Sequence, residues 1–210
     1  MAYDAHTLAQ TAVLNTSPDA EESGIWQSDN GPAADEQGNV YPAAGNGRFT
    51  VAAKGRDYGD SVLKLGLARG GFEVLDYFTP FNERVLNSQD DDLGSGGPVL
   101  LPAQPGDPRL LVVGGKDGCL YVLDRARLGK YQEGINNIPQ VIRFRGGIYS
   151  APDYWNGRVY MLASKDYLAA FQCGRGNWRL SRTPWAPSVS AIPEPLRRFR
   201  RIECATASCG

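Results

Sequence analysis

The residues of this chain whose types and spacing could do chemistry are carboxylates, and they are densest in "NSQDDDLGSGGPVLLP" at 87–102, where Asp90, Asp91 and Asp92 stand side by side. Adjacent carboxylates could hold a hard cation or divide acid and base roles between them. They could equally form a solvated corner ahead of a strand, and that plainer account is the one expected here. The run departs from the calcium-loop template, because Gly94 comes too early and no glutamate closes the loop. His6, the single histidine, lies in a turn-like "DAHTL" with neither the serine nor the acid of a triad signalled around it. It reads as a solvated turn residue. With no GxGxxG or GxxxxGKS element in the chain, "GSGG" at 94–97 is a turn cluster and not a phosphate cradle. Cys119, Cys173, Cys204 and Cys209 contain no CxxC pair, which weighs against zinc; a disulfide among the later three is left open.

The totals narrow the class. Of the 210 residues, 42% are apolar and 21% charged, as in soluble globular proteins, while 25 glycines and 14 prolines imply many turns between short elements. An all-helical fold is therefore not expected. A net charge of −1 offers no general attraction to nucleic acid or anionic lipid. No apolar run approaches the ~18 residues that a membrane helix needs. Neither a nucleic acid nor a membrane is expected as partner. The opening "MAYDAHTLAQTAVL" has no basic leader followed by an uninterrupted apolar core, so no signal peptide is visible in it.

The elements that must position the carboxylates come in repeats. "GPAADEQGNVYPAAGNG" from Gly31, "GPVLLPAQPGDPRLLVVGGKDG" from Gly97 and "SAPDYWNGRVYMLASKD" from Ser150 each run small residue, proline, apolar stretch, turn, apolar stretch, turn. Pro32, Pro98 and Pro152 mark strand starts, where a missing N–H is tolerated. Gln37-Gly38-Asn39, Pro105-Gly106-Asp107 and Asn156-Gly157 supply tight hairpin turns. A third strand follows at 61–67, 119–129 and 167–174, and a fourth at 72–78, 139–144 and 177–183. Four antiparallel strands recurring about every 55 to 65 residues is the pattern of propeller blades. "YDAHTL" near the start lines up with "VLDRARL" at 122–128, so the chain opens on a third and fourth strand. The expected fold is all-β: a β-propeller segment of about three and a half blades. The blades fall at about 25–78, 94–144 and 147–184, with a half blade at 2–16. Trp26, Tyr121, Phe144, Trp155 and Tyr160 fall at strand-like positions and are expected in the core between blades.

With these motifs in view, the chain resembles the pyrroloquinoline-quinone-like (PQQ-like) β-propeller repeat family. The resemblance is carried by "AYDAHTL" at 2–8 and "YVLDRARLG" at 121–129, close to the family's aromatic-x-x-Asp-x-x-Thr/Leu-Gly pattern, and by "GGIYSAPDYWNGRVYMLASKDYLAAF" at 146–171. It covers most of residues 2–184. Members usually have about seven or eight blades, so this chain corresponds to roughly half a propeller, and a periplasmic or extracellular setting is implied. Beyond Pro184, "WAPSVSAIPEPLRRFRRIECATASCG" loses the alternation and carries four arginines and two glutamates. This irregular basic tail at 185–210 reads either as a frameshifted or spliced end or as a genuine tail or linker.

Propeller connectivity would place the links between sheets and the turns between second and third strands on one face. That face would gather Lys54, Arg56, Asp57, Asp60, Asp90, Asp91, Asp92, Lys116, Asp117, Arg145, Lys165 and Asp166. Of these, Asp57, Asp60, Asp90, Asp91, Asp92, Lys116, Asp117 and Asp166 are the candidates for contact with a ligand. In quinoprotein dehydrogenases that resemble this family, a quinone and a calcium ion sit on the axis at one face, with an aspartate as base. Those alcohol dehydrogenases also carry an adjacent pair of cysteines, which this chain lacks. The expected role is a non-catalytic binding or scaffolding module with no cofactor, whose partners are further blades or another copy of the chain. The alternative is a fragment of a PQQ- and calcium-dependent alcohol or sugar dehydrogenase.

Overall fold

The computed structural model describes residues 1–28, 30–68, 71–103, 108–174 and 177–182. The basic tail with Cys204 and Cys209, the side chain of Cys173, and the turn at Pro105-Gly106-Asp107 lie outside the described residues. The chain is all-β. It forms one two-stranded and three four-stranded antiparallel sheets, with one short α-helix among the described residues.

The first pair is β1 (Ala2–Tyr3) and β2 (Gln10–Ala12). Between them the carboxylate of Asp4 accepts the backbone N–H groups of His6 at 3.0 Å and Thr7 at 2.7 Å. Asp124, the residue aligned with it by sequence, likewise accepts the N–H of Ala126 at 2.9 Å. In both places a short acidic side chain offers the backbone an alternative to the ladder, and so ends a strand.

The first four-stranded sheet is β3 (Ala33–Ala34), β4 (Val40–Tyr41), β5 (Val62–Ala68) and β6 (Gly71–Phe78), in that order. Asp35 organises the β3–β4 turn. It accepts the N–H groups of Gln37 and Asn39 at 3.0 and 2.9 Å, and the Tyr41 hydroxyl at 2.9 Å. Helix α1 (Glu83–Gln89) follows β6 and ends at Asp90, whose left-handed φ of 57° returns its N–H to the carbonyls of Leu86 and Asn87. No periodic pattern announces this helix, because its seven residues bury only Glu83 and Leu86 and so carry no apolar stripe of helical period.

The second four-stranded sheet is β7 (Pro98–Leu100), β8 (Leu110–Gly114), β9 (Cys119–Asp124) and β10 (Gln140–Arg143). The third is β11 (Asp153–Trp155), β12 (Arg158–Met161), β13 (Ala169–Gly174) and β14 (Asn177–Arg182). Trp155 pairs with Arg158 across the two-residue turn Asn156-Gly157. Both turn residues have positive φ, 48° and 75°, which is the conformation that makes an Asn-Gly pair the natural hairpin connection.

Sheets stack through period-two alternation. On one face of the middle sheet, Leu111, Val113, Tyr121 and Leu123 meet Tyr41, Val62 and Phe78 of the first sheet. On its other face, Leu110, Val112, Leu120 and Val122 meet Val159, Met161, Ala169 and Phe171 of the third. Strands β8 and β9 are therefore apolar at successive positions and buried almost throughout, as a strand covered on both sides must be. Tyr121 and Phe144 lie in or against these cores as expected. Trp26, Trp155 and Tyr160 do not: the two tryptophans are 46% and 58% exposed, and Tyr160 is half-buried on the face of β12 opposite Val159. Trp26 lies in the irregular segment between β2 and β3, and Trp155 pairs with Arg158 on the face of β11 turned away from the Tyr154–Val159 core side.

Candidate functional site

The same backbone contact recurs in each four-stranded sheet. The residue in the link after its second strand donates an N–H to the segment leading into its first strand. The pairs are Gly45 to Gly24 at 2.9 Å, Lys116 to Asp92 at 3.0 Å and Ser164 to Gly147 at 2.9 Å. Adjacent units are tied as well, since the Ile148 N–H donates to Gly115 at 3.0 Å. These bonds draw the acidic corner, the 115–118 turn and the 144–148 link onto one rim. Small residues permit the close approach: a Cβ on Gly45 would collide with the Asp92 carboxylate, and one on Gly115 would meet the Asp117 carboxylate first and then the backbone of Asp92 and Leu93.

The three adjacent aspartates have three different environments. Asp90 is exposed at the end of α1. Asp91 is half-buried, and burial together with the charge of Asp117 raises its carboxyl above the usual range. Asp92 is 4% exposed. One of its carboxylate oxygens accepts the Asn46 N–H at 2.7 Å, and the other meets the Lys116 ammonium. The expected solvated corner is therefore solvated at its first residue and buried at its third.

Lys116 is the cation that meets the acidic corner. It also reaches Asp90 at 3.1 Å, and its Nζ stands 5.6 Å from the centre of the Trp26 ring. Burial works to lower the ammonium, but the hydrogen bonds and charges of Asp92 and Asp90 outweigh it and hold it above its ordinary value. Asp117, in the same turn, accepts the Cys119 N–H at 3.0 Å and the Tyr121 hydroxyl at 2.7 Å. Burial and the Asp117 charge push the Tyr121 phenol upward. They also push the buried Cys119 thiol up to about 12, so that sulfur remains a neutral thiol at physiological pH.

Asp60 lies behind these groups and is fully buried. Its Oδ1 accepts the Leu93 N–H at 3.0 Å, while Oδ2 has no hydrogen-bond partner. Burial first, and then the charges of Asp92, Glu83 and Asp117, raise its carboxyl to about 7. Asp60, Asp90, Asp91, Asp92, Lys116 and Asp117 are thus brought together. Asp57 instead belongs to the turn at 50–57, accepting the Thr50 hydroxyl at 2.9 Å and the Asp19 N–H at 3.0 Å. Arg56 pairs there with Asp19, and Lys54 is exposed nearby in the chain. Asp166 accepts the N–H of Arg145 at 3.0 Å, fastening the 164–166 turn to the 144–147 link.

Two members of the rim were not anticipated. Glu83 comes from α1, and no periodic signal announced that helix. Trp26, assigned to the core, covers Lys116 instead; its position between Gly24 and the polar stretch Gln27-Ser28-Asp29-Asn30, outside any alternating run, was the available signal. Chemically the rim offers exposed Asp90, half-buried Asp91, the Lys116 head and one indole. Asp92 and Asp117 have both carboxylate oxygens engaged inside the protein. Among the described residues, no three acidic, histidine or cysteine side chains gather closely enough to hold a metal ion. No family model matches the chain, and no curated protein matches it.

Proposed function

We propose that the chain is a non-catalytic segment of a PQQ-like β-propeller that acts as a binding or scaffolding module in a periplasmic or extracellular protein. What supports this reading is the order of its parts. Three four-stranded sheets follow one another in the chain, each with its strands in sequence order, stacked face to face and tied by the same inner hydrogen bond. Consecutive propeller blades would be organised in the same way. The observation that carries the non-catalytic part is the engagement of Asp92 and Asp117. A general base must turn an oxygen toward its substrate, whereas both oxygens of each of these carboxylates are held inside the protein, by Asn46 and Lys116 on Asp92 and by Cys119 and Tyr121 on Asp117.

The dehydrogenase alternative draws on Asp60, whose carboxyl at about 7 has the acidity a general base needs. Yet Asp60 is fully buried, and calcium takes six to eight oxygen ligands. The described acids do not converge as such a donor set, so the rim does not fit the ion and no step is derived through it. Calorimetric titration of the chain with PQQ, calcium and both together separates the readings. The module predicts no saturable heat, and stoichiometric saturable binding of either would overturn it in favour of the dehydrogenase.

A further inference from the structure

We propose that Asp60 is a proton-dependent latch between the first and second four-stranded sheets, its neutral carboxyl fastening the β4–β5 link to the segment that leads into β7. The geometry sets the terms. Asp60 donates its own N–H to Gly45 at 2.8 Å, within the link that carries it, and its Oδ1 accepts the Leu93 N–H at 3.0 Å across the boundary between sheets. At the corresponding boundary between the second and third sheets, the Ile148 N–H donates to a backbone carbonyl, that of Gly115. A carbonyl does not titrate. At the first boundary the acceptor is a carboxyl group, and the joint acquires a dependence on pH that its counterpart lacks.

Ionisation acts on this joint in opposing ways. A carboxylate would accept the Leu93 N–H more strongly. It would also place a charge in a site without solvent contact, with Oδ2 unpartnered. The groups facing it are Glu83 from α1, Asp92 from the segment before β7 and Asp117 from the β8–β9 turn, all acidic. The neighbouring cation, Lys116, is already committed to Asp92 and Asp90. An unpaired buried charge is relieved by reaching water, and here water is reached by parting the link at 60 from the segment at 92–95. Because Lys116 also donates its backbone N–H to Asp92, opening would carry the rim turn with it. The neutral acid carries no charge to relieve: it holds its proton on Oδ2 and keeps Oδ1 on Leu93, and an unpartnered O–H costs less to bury than an unpaired carboxylate. This latch is a property of the joint itself and holds whatever the rim binds.

Backbone hydrogen exchange between pH 5 and 8, normalised for the intrinsic pH dependence of exchange, tests the proposal. In the wild-type chain, protection of residues 91–96 falls at least about tenfold as pH rises through about 7, the factor carried by one unit of pKa difference. Asp60→Asn, which keeps an oxygen for Leu93 and cannot ionise, holds that protection constant. Equal wild-type protection at pH 5 and 8, or the same loss in Asp60→Asn, overturns the latch. Should the variant fail to fold, the carbon-13 titration of the Asp60 carboxyl in the wild-type chain decides alone: a midpoint near 7 supports the latch, and one near 4 overturns it.

Discussion

Lys116 grips Asp92 twice: its ammonium meets the Asp92 carboxylate, and its backbone N–H donates to the Asp92 carbonyl at 3.0 Å. The two residues belong to different segments, one in the turn between β8 and β9 and the other in the approach to β7. Their double contact ties the β8–β9 turn to the segment that leads into β7. The equivalent contacts in the first and third sheets, Gly45 to Gly24 and Ser164 to Gly147, are made by backbone alone. The second sheet therefore adds an ion pair to a joint that the others make without one.

That pair gives an asymmetric prediction. The Asp92 side chain is 5% exposed and the Lys116 side chain 17%. Lys116→Met leaves a carboxylate buried with one N–H donor and no counter-charge, which costs about 3 kcal/mol, at the lower end for a broken buried pair. Asp92→Ala leaves an ammonium that still has Asp90 and some water, and costs about 2 kcal/mol. Urea denaturation of the two single variants and the double variant measures both. The expected coupling is at least about 1 kcal/mol. Additive effects would show that the pair is decorative.

Gly45 should prove as sensitive as the pair itself, because an added Cβ there would collide with the carboxylate of Asp92. Gly45 does not adopt a positive φ, so the conflict is one of space and not of backbone conformation. Gly45→Ala is expected to lower stability by about 2 kcal/mol, within the range for overpacking. The same substitution placed on Asp92→Ala should cost less than half as much, since the obstacle is gone. Equal costs in the two backgrounds, read from denaturation midpoints, would put the strain elsewhere.

Strand order and turns were legible in the sequence for local reasons. Alternation, Asn156-Gly157 and the prolines at strand starts act within a few residues of themselves, and β5, β6, β9, β10, β13 and β14 fall inside or within a residue of the expected spans. The depth of the acidic corner was not legible. Whether Asp90, Asp91 or Asp92 turns inward depends on the short helix before them and on Gly45, which lies far away in the chain but against Asp92 in the fold. The place of Trp26 is hidden in the sequence for a related reason. An aromatic residue is apolar enough for a core, but its ring can equally cover a cation at a rim, and only the position of Lys116 distinguishes the two.

The exposed face of the third sheet leads to the last prediction. Trp155, Arg158, Tyr160 and Ala170 lie on one side of β11–β13, linked by the cross-strand pairs Trp155 with Arg158 and Tyr160 with Ala170. The alternate residues Tyr154, Val159 and Phe171 point into the core. The middle sheet has both its faces covered by neighbouring sheets, whereas this face of the third leaves Trp155 58% exposed. On this face Trp155 is the exposed aromatic residue, while Tyr160 is half-buried and Ala170 is buried, and an exposed indole is an anchor for contact with another surface. The isolated chain should therefore associate as its concentration rises, with the weight-average mass in sedimentation equilibrium climbing above that of one chain. Trp155→Lys puts a charge on the face without disturbing the core side of β11, and should move the association to at least about tenfold higher concentration, the equivalent of about 1.4 kcal/mol. A wild-type chain that sediments as a single species at every concentration, or a variant that associates as readily as the wild type, would show that this face does not mediate contact between copies.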